Sequence, residues 1–217
     1  MFLHDTIQIP KLERITLPDG KRTYLTPSGK SYPSVTSVTS LLAKEGITNW
    51  RNKIGHEEAN KITTRASRRG TSLHLLCEKY LNNENPSPNY VELEMWKTIV
   101  PELNNINHIK CLETTLFSNH LEVAGTVDCI AEYKGKLAVI DFKSSRKVKK
   151  REWITNYFMQ CAAYSVAFEE LTGISVPRLV VIIGVDENPV QVFEEKRDDW
   201  IDDFKKLREQ YRNQYNL

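Results

Sequence analysis

No apolar run in this 217-residue sequence approaches the roughly 20 residues that a membrane-spanning helix requires, so no membrane role is expected. Cysteine is scarce and dispersed. Cys77, Cys111, Cys129 and Cys161 form no C-x-x-C pair, and each falls in a segment that reads as helix or strand. That argues against a disulfide framework or a zinc ribbon, and leaves the thiols as small apolar residues. Excess charge is missing too: 30 basic residues stand against 28 acidic ones, a net charge of +2. No internal repeat or low-complexity segment is present. The N-terminus, MFLHDTIQIPKLER, has neither a secretory apolar region nor the Arg-rich, acid-poor character of a transit peptide. An intracellular protein is expected, in the cytoplasm of a bacterial or phage-infected cell rather than a mitochondrion.

What is present is ordinary for a globular protein: 40% hydrophobic and 27% charged residues. The length suffices for a sizeable core. The small net charge hides local clusters. Lys61, Arg65, Arg68 and Arg69 form one, and Arg146, Lys147, Lys149, Lys150 and Arg151 another, while Glu194 to Asp203 is mainly acidic. Either basic cluster alone reads as a solvated face. Two beside one site would suit a phosphate backbone.

Along the chain, residues 7–33 read as short strands and turns, with Pro18-Asp19-Gly20 and Pro27-Ser28-Gly29 as turn signals. Ser34 opens a helix, SVTSVTSLLAKEG, with Gly46 as its expected stop. Its hydroxyls, Ser34 and Thr36 among them, serve capping and could also seat a phosphate. A helical pattern runs from Thr48 to about Leu81 in two pieces around Gly55-His56. Within it His74 lies one turn after Gly70, among leucines, where a satisfied core histidine is the ordinary reading. Residues 82–89 read as a loop and Tyr90 to about Leu103 as another helix. Ile109 to Phe117 alternates as a strand, which would set Cys111, Glu113, Thr115 and Phe117 on one face. After the basic linker, REWITNYFMQCAAYSVAFEELTG reads as a long helix ended by Gly173. Trp153, Tyr157, Gln160 and Tyr164 would make one stripe along it. RLVVIIGV (residues 178–185) is an apolar buried strand, Pro189 to Phe193 a further edge strand, and Asp198 to Gln214 a closing helix.

Between these elements lies AGTVDCIAEYKGKLAVIDFKSS, two alternating strands joined by a turn at Tyr133-Lys134-Gly135-Lys136. Asp141 and Lys143 are two apart and so emerge on one face, continuing the line of Leu137 and Val139. In ordinary hairpin register Asp128 comes beside them. By itself this reads equally as an exposed Asp–Lys pair at a fraying strand end.

Taken as an ordered set, the sequence resembles the PD-(D/E)xK nuclease superfamily, in its RecB-like branch. Gly70-x-x-x-His74 resembles the family's helical histidine motif and Gly125-x-x-Asp128 its G-x-x-D strand. Asp141-Phe142-Lys143 resembles its D-x-K, and Gln160-x-x-x-Tyr164 its Q-x-x-x-Y helix. The resemblance implies an α/β (mixed α+β) fold: a restriction-endonuclease-like core, a central mixed β-sheet flanked by helices, with an N-terminal strand-and-helix addition. The expected organisation is one nuclease domain over 1–217, with N-terminal strands and helix in 1–47, the core in 48–185 and a last strand and helix in 186–217. The implied activity is metal-dependent exonucleolytic hydrolysis of DNA, single-stranded or flapped. A double-strand exonuclease, a structure-specific endonuclease and a catalytically inactive DNA-binding protein are the alternatives.

The resemblance also distributes roles. Asp128 and Asp141 are hard oxygen ligands for Mg²⁺ or Mn²⁺, with the Phe142 carbonyl and the His74 imidazole as further ligands. Lys143 orients or deprotonates water or neutralises developing charge, and Gln160 and Tyr164 position substrate or water. Glu113 is the acid such families often carry on this strand. Ser34, Thr36, Arg68, Arg69, Lys147, Lys149 and Lys150 become candidate DNA contacts, with Tyr157 a base-stacking surface. The four cysteines lack the arrangement that ligates iron–sulfur clusters in some members, so no cluster is expected.

Overall fold

The computed structural model describes residues 1–18 and 20–215. Five strands form the central sheet, in spatial order β4 (Ile106–Ser118), β5 (Val123–Tyr133), β6 (Lys136–Ser145), β7 (Arg178–Val185) and β8 (Gln191–Lys196). Pairing is antiparallel except between β6 and β7. Those two are joined by α5 (Thr155–Thr172), the helical crossover that parallel strands need. The sheet is therefore mixed, as expected.

Both faces of β6 and β7 are covered, which explains the unbroken apolar runs there. On one side Val139, Leu179 and Val181 pack with Phe158 and Phe168 of α5 and Phe204 of α6 (Ile201–Tyr215). On the other, Ile140, Phe142, Val180 and Ile182 pack with Leu73 and Leu76 of α3 (His56–Leu81) and Ile99 and Leu103 of α4 (Tyr90–Leu103). Each fully buried Phe or Leu stabilises by about 1.5–3 kcal/mol. The two layers hold β6 as a fixed platform.

A second sheet precedes this core. It is an antiparallel meander of β1 (Glu13–Thr16), β2 (Arg22–Leu25) and β3 (Ser31–Pro33). The turn at Pro27-Ser28-Gly29 closes with Gly29 N donating to Thr26 O at 2.9 Å. In the Pro18-Asp19-Gly20 turn, Asp19 lies outside the described residues. Leu12, Tyr24 and Tyr32 of this unit bury themselves against Ala124 of β5.

Several boundaries differ from expectation. The helix opened by Ser34 is α1 (Val35–Thr39), and it breaks at Ser40 rather than stopping at Gly46. Ser40 Oγ bonds back to Ser37 O at 2.6 Å, the side-chain competition that disturbs helices. Gly46 lies inside α2 (Leu41–Ile54), on a side where an added Cβ would touch nothing. There a glycine weakens the helix by about 1 kcal/mol without ending it. The stop comes at Gly55, whose φ of 88° only glycine adopts readily. The division drawn after residue 47 consequently cuts through α2. Arg151–Trp153 is a separate 3-10 turn, so Trp153, 61% exposed, does not belong to the α5 stripe, which starts at Tyr157. The edge strand runs to Lys196, beyond Phe193, and the closing helix begins at Ile201.

Candidate active site

The β5–β6 hairpin turns through Lys134 and Gly135, both at positive φ (52° and 72°), the conformation of the two-residue turn that matches strand twist. This turn fixes the register from Tyr133↔Lys136 to Cys129↔Ile140. Beyond the last pair, Asp128 Oδ2 accepts the Phe142 amide at 2.8 Å, so a carboxylate takes over where the ladder ends. Asp141 is 2% exposed and Asp128 7%. Asp141 Oδ1 accepts from Lys143 Nζ at 2.5 Å and from Gln160 Nε2 of α5 at 2.8 Å. Its other oxygen, Oδ2, is buried with no hydrogen-bond partner among the described residues.

Glu113 enters through a break in the neighbouring strand. Its φ is 46°, a left-handed conformation that a non-glycine residue adopts only under constraint. The ladder pairs Leu112↔Cys129 and Thr114↔Val127 straddle the Glu113–Asp128 level. Strict alternation fails here, so the four residues expected on one face do not share it. Cys111 joins the layer under α5, Phe117 joins the Tyr24 cluster, and Glu113 turns to His74. His74 Nδ1 lies 3.8 Å from Glu113 Oε1 and 3.5 Å from Asp128 Oδ2. One donor atom from each of His74, Glu113 and Asp128 lies within 4.8 Å of the others.

The electrostatics follow from burial opposed by charge. Burial pushes the Asp141 carboxyl up to about 6, with Lys143 opposing the rise. Burial alone would lower Lys143, but Asp141 and Asp128 outweigh it and hold the ammonium charged. Burial would likewise lower His74, and the Glu113 and Asp128 carboxylates turn the net displacement upward. Lys143 Nζ also lies 5.1 Å from the centre of the Tyr157 ring, whose phenol burial pushes up.

Gly125 and Tyr164, from two separate motifs, turn out to be one contact. A Cβ on Gly125 would sit 2.6 Å from the Tyr164 hydroxyl. The glycine is required for space, not for an unusual φ. Gly70 on α3 faces Ser144 at ordinary contact distance.

A cavity of about 330 Å³ collects these groups. The central sheet, α3 and α5 supply one part of its wall, His74, Glu113, Asp128, Lys143, Gln160 and Tyr164; the N-terminal strands and the start of α1 supply another, Arg14, Arg22, Ser34 and Thr36. A larger cavity of about 430 Å³, lined by Met1, Phe2, Tyr80 and several asparagines, holds no comparable charged cluster. Ser34 and Thr36 therefore reach the site, although Ser34 also caps α1 by accepting Ser37 N at 2.9 Å. The remaining cations do not line this cavity. Arg69 binds Asp186 Oδ2 at 2.9 Å and Ser144 Oγ at 3.3 Å. Arg68 is exposed on α3. On the linker, Lys147 contacts Ser145 through its backbone, Lys149 is bonded through its backbone to Gln191, and Lys150 Nζ lies over Trp153. Sequence reasoning missed Arg14 and Arg22. The signal available was the alternation of R-T-Y-L, which sets Arg22 on the side of the buried Tyr24.

The donor set fits a hard divalent cation. Two carboxylates, Glu113 and Asp128, converge with the His74 imidazole; Asp141 stands outside that three-residue group and does not line the cavity, but its buried Oδ2 has no partner among the described residues, which is costly unless something binds it.

Comparison with known proteins agrees with this geometry. Mitochondrial genome maintenance exonuclease 1 of Homo sapiens is 26% identical over 175 residues, 72% of this chain and 50% of that protein. Its Mus musculus counterpart is 28% identical over 135 residues, 54% of this chain and 38% of that protein. The matched stretches thus span half or less of these relatives. The solved structure of SSO0001 shares 15% identity at a TM-score of 0.40, over 79% of this chain and 72% of the other, too loose a likeness to carry an argument. The sequence pattern of the PD-(D/E)XK nuclease superfamily matches residues 77–216, well over half of the chain. Members of that superfamily use divalent metals, and the fold, the D-x-K strand and the acidic cluster accord with it. The chain belongs to the PD-(D/E)XK nuclease superfamily.

Proposed function

We infer that the cavity hydrolyses phosphodiester bonds of DNA, and that the protein is an exonuclease acting on single-stranded or flapped ends during replication, repair or recombination. The observation that carries this reading is the buried Asp141. One of its oxygens is clamped by Lys143 and Gln160, and the other is unsatisfied beside an acidic cluster.

Asp128, Asp141, Glu113 and His74 would hold Mg²⁺ or Mn²⁺, with the Phe142 carbonyl as a further ligand. Such an ion supplies Lewis-acid polarisation of the phosphate and a lower pKa for water. Gln160 and Lys143 fix the rotamer of Asp141. Asp128 is fixed by the Phe142 amide. Lys143, bonded to Asp141, would orient or deprotonate water, or neutralise charge developing on the phosphate. Tyr157 shields that ammonium from water on one side. Tyr164, seated over Gly125, lines the cavity and would position substrate or water with Gln160. The exonuclease assignment draws on the names of the relatives, and the preference for single strands on the resemblance to RecB-like nucleases.

The test is to incubate the protein with end-labelled linear single-stranded, flapped, duplex and circular DNA in Mg²⁺, Mn²⁺ or EDTA. Metal-dependent loss of linear and flapped strands, with circles spared, is expected. Cutting of circles would replace the exonuclease with an endonuclease. Binding without cleavage in every metal would overturn the hydrolytic reading.

A further inference from the structure

The part of the cavity lining supplied by β1 and β2 has a built-in positive charge that the hydrolytic machinery does not use. In the β1–β2 register Arg14 faces Tyr24 and Thr16 faces Arg22. Opposed residues in an antiparallel pair share a face, as do residues two apart on a strand, so Arg14, Arg22 and Tyr24 lie on the same side. It is the inward side, because Tyr24 is buried against Leu12, Tyr32 and Ala124. An inward face of so small a sheet needs every apolar residue it can place. The half-buried guanidinium of Arg22 on it calls for a reason other than packing, and the exposed Arg14 shares its side of the sheet.

Arg22 is half-buried, and its Nη2 donates to Thr36 Oγ1 at 2.8 Å. A guanidinium carries five N–H donors, and this bond uses one of them. Among the described residues neither Arg14 nor Arg22 takes part in an ion pair. Both line the cavity with His74, Glu113, Asp128 and Lys143. A partly desolvated cation held by a neutral hydroxyl at the lining of a cavity is an arrangement that can recognise a tetrahedral oxyanion. The Ser34 hydroxyl, 3.1 Å from Thr36 Oγ1, adds a further polar group to that wall.

We propose that Arg14, Arg22 and the Thr36 hydroxyl form a seat for one phosphate group of the DNA strand, distinct from the phosphate attacked at the acidic wall. This rests on the reading of the cavity as a DNA-hydrolysing site. The seat grips the strand at a second point and so sets which bond reaches Lys143. Its ligand is either a terminal phosphomonoester or an internal phosphodiester, which present the same oxygens to the two arginines. Arg14 and Arg22 are positioning residues in this scheme, since they act on the strand and not on the reacting atoms.

The experiment measures binding of a single-stranded oligonucleotide by fluorescence anisotropy in EDTA, across a salt series, and cleavage of the same oligonucleotides in Mn²⁺. The proteins are wild type, Arg22→Gln, Arg22→Lys and Arg14→Gln. Each glutamine variant should bind about tenfold more weakly, with a salt slope shallower by about 0.7. Arg22→Lys should restore part of the loss. Mn²⁺ affinity should be unchanged in all, because neither arginine belongs to the donor group of His74, Glu113 and Asp128. Oligonucleotides with a phosphate or a hydroxyl at either end, or with one neutral methylphosphonate at successive positions, then locate the ligand. The deficit of Arg22→Gln should vanish on one of them: the end-hydroxyl substrate identifies a terminal phosphate, and a single methylphosphonate position an internal one. A deficit that is equal on all substrates, or absent, overturns the seat. Arg14 is exposed, so Arg14→Gln keeps the test open should Arg22→Gln fail to fold. If wild type cleaves no DNA while the coupled binding deficit persists, the hydrolytic reading fails and the seat stands.

Discussion

The two walls of the cavity are built by different means. The acidic wall stands on the central sheet, where apolar layers clamp both faces of β6. There, donors are cross-braced by a second group: Asp128 by the Phe142 amide, Asp141 by Lys143 and Gln160. The basic wall stands on strands of three or four residues with a core of Leu12, Tyr24, Tyr32 and Ala124. Among the described residues its arginines are tied by one side-chain hydrogen bond, from Arg22 to Thr36. The contrast teaches a division of labour. Chemistry needs groups held to fractions of an ångström, which a doubly covered sheet supplies. Grip on a phosphate tolerates long side chains on a small support.

The largest effect should come from the acidic wall. Lys143→Ala, with its fold verified by circular dichroism, should lower single-turnover cleavage by about a hundred- to a thousandfold. Asp141→Asn should do at least as much, and should also weaken Mn²⁺ binding measured by calorimetry. Equal losses from Arg14→Gln would erase the distinction between the walls.

Next is the Gly125 contact. Gly125→Ala puts a Cβ against the Tyr164 hydroxyl and should destabilise by about 1–3 kcal/mol. At roughly 2–4 °C per kcal/mol, the thermal midpoint should fall by several degrees. Tyr164→Phe removes the nearest atom, so the double variant should recover part of the loss in a thermal melt. No recovery would mean that the glycine serves something other than Tyr164.

A smaller effect is the pH dependence that Asp141 confers. Its folded value is raised from 3.8 to about 6 by burial, so the folded protein holds this proton more tightly than the unfolded chain. The stability it contributes to the metal-free protein is fully present below about 3.8 and is lost as the pH rises through about 6. A divalent cation requires the ionised form, and its binding is opposed at low pH also by protonated His74. The rise in melting temperature on adding Mn²⁺ should therefore grow as the pH climbs through about 6, and Asp141→Asn should flatten both trends. The least effect belongs to Ser34→Ala, which removes the α1 cap and should destabilise by about 1 kcal/mol in a denaturant titration.

Much of the acidic wall was legible in the sequence because its geometry is local. Strand period places Asp141 beside Lys143, hairpin register places Asp128 next to them, and one helical turn links Gln160 to Tyr164. Glu113 was harder to read because its left-handed backbone breaks the alternation that strand reading assumes. Arg14 and Arg22 were missed for a different reason. Which face of a small sheet docks on β5 is decided by the fit of Tyr24 and Tyr32 against Ala124, and no local pattern states that fit. The same holds for Gly46 and Trp153, whose roles depend on whether the surrounding helix meets a neighbour. The basic residues from Lys147 to Lys150 looked like site residues by proximity in sequence, yet the linker leaves them off the cavity wall.

The most direct test of the central claim separates metal binding from hydrolysis in one pair of proteins. Mn²⁺ affinity and single-turnover cleavage of a linear single-stranded oligonucleotide would be measured for wild type and Lys143→Ala. The geometry predicts that Lys143→Ala still binds Mn²⁺ through Asp128, Asp141, Glu113 and His74, while cleavage falls by about a hundredfold or more. Cleavage by Lys143→Ala at the wild-type rate, or wild-type cleavage undiminished in EDTA, would contradict it.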